Sequence, residues 1–138
     1  MIVLDTNVVS ERMRGDPSPA VLQWLSGNET TGLVITALTK AELMLGVGRM
    51  PRGRRQEKVL RMVAQVLADY HDSILAFDTR AAAEYARVKN DRDAMGRPIS
   101  VFDAQIAAIC ASTGATLATR NTKDFDGLGL DVIDPWQA

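Results

Sequence analysis

The sequence predicts an α/β protein, a three-layer α/β/α sandwich around a central, mostly parallel sheet of about five strands. Strand and helix signals alternate along the chain, which is typical of a parallel sheet covered by helices on both faces. The opening run Ile2–Leu4 is continuously apolar, as expected of a strand buried on both faces. The chain has 138 residues, 46% of them hydrophobic, which is enough for one compact core. We therefore expect a single domain over residues 1–138.

Gly and Pro residues separate the periodic segments and mark their boundaries. Apolar spacing and a terminal glycine predict a first helix over 18–27, and the run GLVITA predicts a second strand. The helix predicted over 54–70 has one apolar face, formed by Val59, Met62, Val63, Val66, Leu67 and Tyr70. The same signals place helices over 18–27, 38–50, 54–70, 79–96 and 100–114, and strands over 32–37, 73–78, 115–121 and 130–136.

Charge and composition restrict the function classes. The 16 basic and 17 acidic side chains give a formal net charge of −1, so any contact with nucleic acid needs a local patch. The only cysteine, Cys110, lies in an apolar helical stretch and is interpreted as a core residue, whereas the only histidine, His71, is interpreted as a surface residue. No segment approaches the ~20 apolar residues that span a bilayer, and no leader pattern opens the chain, so we expect a cytoplasmic protein.

An acidic residue ends the first strand. Asp5 follows the apolar run directly, and ligands of open α/β sheets bind in the crevice outside the carboxyl ends of the strands. Glu42, Asp103 and Asp124 are predicted to lie near the same edge, because each falls at the start of a helix or just after a strand.

Each of these acids also has a structural interpretation. Thr39 and Glu42 have the spacing of a capping box, and Asp103 lies in the first turn of a helix that Ser100 would cap. Asp124 lies in a loop where Asp126, before a glycine, is the better turn residue.

Capping alone does not require the acids to converge. Carboxylates that share a site repel one another and bind protons more tightly unless a cation neutralises them. Their hard oxygen ligands suit Mg²⁺ or Mn²⁺ in octahedral geometry. The sequence therefore predicts a divalent-metal site at the carboxyl edge of the sheet.

Four motifs in order carry a resemblance over essentially the whole chain: LDTN, TKAEL, FDAQIAA, and ATRNTKDF followed by VIDPW. Together they resemble the PIN-domain ribonucleases, and more narrowly the VapC and FitB toxins of bacterial toxin–antitoxin pairs. The resemblance implies that Asp5, Glu42, Asp103 and the region from Asn121 to Asp124 hold Mg²⁺ or Mn²⁺. Asp5 and Asp103 are expected to be direct ligands, and Glu42 is expected to be either a ligand through water or the general base.

The chain departs from the family pattern at the fourth acidic position, where Asn121 stands and relatives often have aspartate. Two alternatives stay open: Asp124 supplies the missing charge, or Asn121 orients a water beside a single ion. The resemblance also implies that Thr6, Asn7 and Thr119 orient the acids, while capping of the helix after the first strand is the alternative role of the first two.

The function implied by the resemblance is a metal-dependent endoribonuclease toxin that a cognate antitoxin inhibits. The alternative is a catalytically weak PIN domain that binds RNA or protein. A phosphoacceptor receiver domain is a third class, but it needs a lysine late in the sheet, and Lys123 in a loop is the only candidate. Candidate RNA-binding residues lie in a basic run, which also fits a solvated helix entrance: Arg49, Arg52, Arg54 and Arg55.

The resemblance further implies partners. A VapB- or FitA-like antitoxin would place its tail in an apolar groove, and the chain would form a homodimer or a larger assembly with the antitoxin. Residues that would line such a groove, or else belong to the core, are Val8, Val9, Leu43, Met44 and Leu45.

Overall fold

A five-stranded parallel sheet forms the centre of the protein, which the computed structural model describes from residue 1 to residue 138. Its strand order is β3-β2-β1-β4-β5, and every neighbouring pair is parallel. The α/β class is therefore confirmed, and the sheet is wholly rather than mostly parallel. The strands are β1 (Ile2–Leu4), β2 (Leu33–Thr36), β3 (Ile74–Leu75), β4 (Thr116–Ala118) and β5 (Val132–Ile133).

Six helices cover the two faces of this sheet. One apolar cluster joins β1 and β2 to the first four helices, and a second cluster packs the last two helices against β1, β2 and β4. This arrangement gives the three layers that the sequence predicts. The helices are α1 (Thr6–Glu11), α2 (Pro19–Gly27), α3 (Ala37–Gly48), α4 (Arg54–Asp69), α5 (Thr79–Ala94) and α6 (Val101–Thr113), with 3-10 turns at Glu29–Thr31 and Thr122–Phe125.

β1 has the predicted bounds, but the other four strands are shorter than predicted, because the chain leaves the sheet as soon as a cap or loop begins. Asp78, predicted to end the third strand, instead caps α5 by accepting a hydrogen bond from the backbone N–H of Ala81 at 2.9 Å. The predicted strand over 115–121 stops at Ala118, and the residues after it form the rim of the sheet.

The predicted capping box at Thr39 and Glu42 is wrong. The hydroxyl of Thr36, the last residue of β2, accepts the hydrogen bond from the Thr39 backbone N–H at 3.2 Å and so caps α3. Because β2 runs straight into α3, the helix begins earlier than predicted and Glu42 lies in its second turn. Capping therefore does not explain Glu42. By contrast, the predicted cap of α6 is confirmed, since the Ser100 hydroxyl accepts from the Asp103 N–H at 3.1 Å.

Both single-residue interpretations are confirmed. Cys110 is fully buried in α6, and this burial raises the pKa of its thiol to about 12, while His71 is exposed. None of the six helices combines the length and the apolar character needed to cross a membrane.

Candidate active site

The predicted acids lie at the carboxyl edge of the sheet. Asp5 follows β1, β2 leads directly into the helix that carries Glu42, and β4 leads into the loop that carries Asp124. Asp103 reaches this edge from the first turn of α6, which packs on the other face of the sheet. Because parallel strands end at one edge, residues distant in sequence meet there.

Asp5 is the buried centre of the site, only 6% exposed. Its Oδ1 accepts a hydrogen bond from the Thr6 N–H at 2.8 Å, which also caps α1. Its Oδ2 accepts from the Thr119 hydroxyl at 2.7 Å and from the Asn7 amide at 3.3 Å. Three donors thus contact one carboxylate: the Thr6 backbone N–H, the Asn7 amide and the Thr119 hydroxyl.

The supporting residues are themselves bonded to one another. The Asn7 amide contacts the Thr119 hydroxyl at 3.3 Å, and the Asn121 backbone N–H donates to the same hydroxyl at 3.1 Å. The hydroxyls of Thr6 and Thr39 lie 3.0 Å apart, which ties α1 to α3 beside Glu42. The alternative role of Thr6 and Asn7 as helix caps is wrong, because Asp5 is the cap of α1; the Thr6 backbone N–H donates to Asp5 and its side chain reaches α3.

The carboxylates raise one another's pKa values. Burial is the largest cause of the raised pKa of Asp5, opposed by hydrogen bonds from Thr119 and Thr6 and augmented by the charge of Asp124. Burial also leads for Glu42, followed by the charge of Asp5. For Asp103 the pKa is again raised first by burial and then by Asp5. These acids are close enough to repel, so the site has an excess of negative charge.

The donor set fits a hard divalent cation. A cation would relieve the repulsion, and carboxylate oxygens are the ligands that Mg²⁺ and Mn²⁺ prefer. No group of three or more His, Cys, Asp or Glu side chains closes into a ready-made cage. Mg²⁺ does not need one, because it retains waters and is commonly held by one or two carboxylates together with substrate phosphates.

Two residues are candidates for the fourth position of the site, Asn121 and Asp124. Asn121 is exposed, and only its backbone takes part in the hydrogen-bond network. Asp124 is also exposed, but its charge raises the pKa values of both Asp5 and Asp103. Of the two, Asp124 therefore contributes to the electrostatics of the site, and Asn121 is placed to contact solvent or a ligand.

Sequence reasoning missed Arg92, a buried arginine 4% exposed. Its Nε donates to the Arg97 carbonyl at 2.7 Å, and its Nη1 donates to the carbonyl of Asp124. No carboxylate pairs with it directly, yet its charge lowers the pKa of Asp103. Arg92 thus holds the turn that carries Asp124 and supplies positive charge behind the site. The apolar residues Ala81 and Val88, at helical spacing from Arg92, are the sequence signal that places Arg92 on this face of α5.

The other candidate residues do not join the acids. Four basic residues are exposed where α3 ends and α4 begins, away from the carboxyl edge at which α3 starts: Arg49, Arg52, Arg54 and Arg55. Of the residues proposed for an apolar groove, Val8, Val9 and Leu43 are core, whereas Met44 and Leu45 are 56% and 50% exposed.

The fold and the acidic edge together define an α/β domain with a carboxylate site at the strand ends, and comparison with known proteins gives its family. The PIN domain family model matches residues 2–129. The chain belongs to the PIN-domain family.

Within that family the similarity extends over the whole chain. The sequence is 38% identical over 138 residues to a VapC ribonuclease of Sinorhizobium fredii, covering 99% of each chain. It is 35% identical over 137 residues to toxin FitB of Neisseria gonorrhoeae, again covering 99% of each. The crystal structure of FitAcB from Neisseria gonorrhoeae superposes with a TM-score of 0.93 at 34% identity, covering 100% of both chains. The structure of FitAB bound to a DNA fragment gives a TM-score of 0.91 at 35% identity, covering 99% of this chain and 96% of that one.

Neutralising Glu42 should stabilise the metal-free protein. The pKa of Glu42 is raised in the folded protein, so the protonated carboxyl favours the folded state. This stabilisation is fully present below the unfolded-state pKa and is lost as pH rises through the folded-state pKa. At pH 7 the wild type therefore bears a charge that Glu42→Gln lacks, and we expect the variant to melt roughly 3 °C higher in EDTA. Below about pH 4, where the unfolded carboxyl is also protonated, the difference should disappear.

Thermal unfolding monitored by circular dichroism measures this effect, with Glu57→Gln as the control; Glu57 is exposed in the first turn of α4, where its charge favours the helix, so this variant should not melt higher than wild type. Added Mn²⁺ should raise the wild-type Tm more than that of Glu42→Gln, because a ligand of the native state stabilises it by mass action. A variant that melts lower than wild type at pH 7 in EDTA would contradict the account.

Proposed function

We propose that this protein is a Mg²⁺- or Mn²⁺-dependent endoribonuclease toxin of a toxin–antitoxin pair. The observation that carries the proposal is the group of mutually repelling acids at the carboxyl edge, whose buried member Asp5 is oriented by Thr119, Asn7 and Thr6. The similarity to a VapC ribonuclease and to toxin FitB supports the reaction class, which is hydrolysis of an RNA phosphodiester bond.

In this proposal Asp5 and Asp103 hold the cation, and Glu42 either binds it through water or takes the proton of the attacking water. When bound, the cation lowers the pKa of its water and offsets charge on the phosphate. Thr119 and Thr6 keep the Asp5 carboxylate in one orientation, so little reorganisation is needed when substrate binds. The pKa of Glu42 is raised above that of an ordinary glutamate, toward neutral pH, which suits a general base.

The partners are part of the proposal. A cognate VapB- or FitA-like antitoxin would silence the site, and the solved relatives named FitAcB and FitAB support a complex of this kind. We also propose a homodimer, a cytoplasmic location with access to RNA, and one PIN domain over residues 1–138. Met44 and Leu45 are the exposed members of the apolar set available for such contacts.

A second candidate is a catalytically weak PIN domain that binds RNA or protein. It is favoured by the exposed, uncharged Asn121 at the fourth position and by the lack of a closed three-acid cage. This candidate predicts weak or no cation binding.

Cleavage of mixed RNA by the purified, antitoxin-free protein tests the proposal. With Mn²⁺ or Mg²⁺ we expect discrete RNA fragments, and with EDTA we expect intact RNA. Cleavage that persists in EDTA would contradict metal dependence. Intact RNA in every lane, from folded protein that does not bind the cation, would favour the binding module.

Substitution at the fourth position separates its two candidates. Asp124→Asn should lower cleavage about tenfold, because it removes a charge that reaches both Asp5 and Asp103. Asn121→Ala should lower it by less than about threefold, since only the backbone N–H of Asn121 enters the network and alanine retains it. Steady-state cleavage rates measure both. The reverse order of effects would assign the position to Asn121.

A further inference from the structure

An arginine follows the acidic site directly and is held over an aromatic ring. The guanidinium carbon of Arg120 lies 5.0 Å from the centroid of the Trp136 ring, within the range of a cation–π contact. The side chain is exposed and forms no salt bridge. Because an aromatic face engages the plane of a guanidinium, the N–H donors at its edge stay available for a ligand.

The backbone of Arg120 belongs to the same network as Asp5. Its N–H donates to Asn7 Oδ1 at 3.3 Å, while the amide nitrogen of Asn7 contacts Asp5 Oδ2 and the Thr119 hydroxyl, each at 3.3 Å. The residue that orients Asp5 thus also fixes the base of the Arg120 side chain. The position of Arg120 relative to the acids is therefore set by the fold.

Trp136 is a fixed platform for this side chain. Its ring packs against the apolar cluster of β1 and the first four helices, and its backbone N–H donates to Asp134 Oδ1 at 2.9 Å. β5 is joined to the end of β4 by the hydrogen bond from Thr119 N to the Ile133 carbonyl at 2.9 Å. A guanidinium restricted by such a platform loses less conformational freedom when it binds a ligand.

The fold does not require the charge of Arg120. Its charge lowers the pKa of Glu11, but as the smallest contribution, after the Ser18 N–H and Arg14. Glu11 accepts from Ser18 N at 2.9 Å and from Arg14 Nη1 at 3.3 Å, so it has other partners. A structural counter-ion role therefore accounts poorly for Arg120.

We propose that Arg120, restrained by Trp136, binds a backbone phosphate of the RNA next to the phosphate that is cleaved at the acids. This inference rests on the proposed ribonuclease function and adds a substrate-binding residue to it. The acidic edge repels a polyanion, so binding needs a nearby cation, and the planar guanidinium matches a phosphate with paired hydrogen bonds. The basic turn between α3 and α4 lies at the other end of α3, whereas Arg120 is adjacent to Thr119 in sequence.

RNA binding measured at several salt concentrations tests this proposal. The probe is a fluorescently labelled, mixed-sequence single-stranded RNA, titrated with protein in an Asp103→Asn background that prevents cleavage. Arg120→Gln should weaken binding about tenfold and reduce the slope of log affinity against log salt by about 0.7, the value of one phosphate contact on a single strand. Arg120→Lys should retain the slope with an intermediate affinity, because it retains the charge but not the planar fork.

Arg80→Gln is the matched control. Arg80 is an exposed arginine in the first turn of α5, which follows β3 at the same edge of the sheet, three strands or ~14 Å from β4. Its substitution should change affinity by less than about twofold, because charges beyond a Debye length are largely screened. Thermal unfolding of each variant verifies that it is folded.

The outcomes separate this inference from the proposed function. If wild-type protein cleaves RNA with Mn²⁺ and Arg120→Gln binds RNA with unchanged affinity and slope, the inference is overturned and the Arg120–Trp136 pair is assigned to a protein contact. If the wild type neither cleaves nor binds RNA, the proposed function fails and this inference fails with it. In the cleavage assay without Asp103→Asn, Arg120→Gln should raise KM with a smaller change in kcat.

Discussion

Asp103→Asn should reduce the rate of RNA cleavage by about a thousandfold while the protein stays folded. The carboxylate is proposed to share a cation with Asp5, and the amide has nearly the same shape but no charge. The Ser100 cap of α6 engages the backbone N–H of Asp103, so it is unaffected by the substitution. Loss of activity would therefore report the lost charge rather than a lost helix. Single-turnover cleavage of RNA at saturating Mn²⁺ measures the effect.

Asp72→Asn is the control for this substitution. Asp72 is an exposed aspartate just before β3, at the opposite end of the sheet from the acids. The Asp72→Asn substitution removes the same charge as Asp103→Asn. It should leave the cleavage rate within about twofold, because surface charges at that distance are screened. Equal activity of Asp103→Asn and wild type would remove Asp103 from the site.

Arg92→Met should lower the free energy of unfolding by about 3 kcal/mol and the Tm by ~10 °C. Its guanidinium is buried, and methionine would leave the carbonyls of Arg97 and Asp124 without their donor. Because the bond to the Asp124 carbonyl holds the turn at Thr122–Phe125, cleavage should also fall at temperatures where the protein is folded. Urea unfolding and cleavage rates measure the two effects.

The matched control on the same helix is Arg87→Met. Arg87 pairs with Glu84 at 2.7 Å and with Asp91 at 3.1 Å, but it is 43% exposed, so its loss should cost less than about 1 kcal/mol. If the two substitutions destabilise equally, Arg92 does not have the role assigned to it.

The fold was largely predictable because its signals are local. A continuous apolar run that ends at Asp5 predicts a buried strand, and the structure has that strand, with Asp5 at its carboxyl end. The cap of α6 at Ser100 was predictable for the same reason, since it depends on residues three apart. Alternation of strands and helices then determines a parallel sheet.

One failed prediction was local, whereas the residues that were missed depend on contacts between distant segments. The capping box at Thr39 was wrong because β2 runs into α3 without a loop, so Thr36 caps the helix. Arg92 was missed because its neighbours in sequence are charged, and its burial depends on a turn 32 residues later. The pairing of Arg120 with Trp136 likewise needs β4 and β5 side by side, which spacing alone does not reveal.

A calorimetric titration with Mn²⁺ tests the central claim most directly, because it does not depend on knowing the RNA that is cleaved. We predict saturable binding by the wild type and at least tenfold weaker binding by Asp103→Asn. Because the pKa values of Asp5, Glu42 and Asp103 are raised, binding in mildly acidic buffer should also release protons, which appear as a heat that depends on the buffer. Absence of binding by the folded wild type, or equal binding by wild type and Asp103→Asn, would contradict a metal-dependent nuclease at this site.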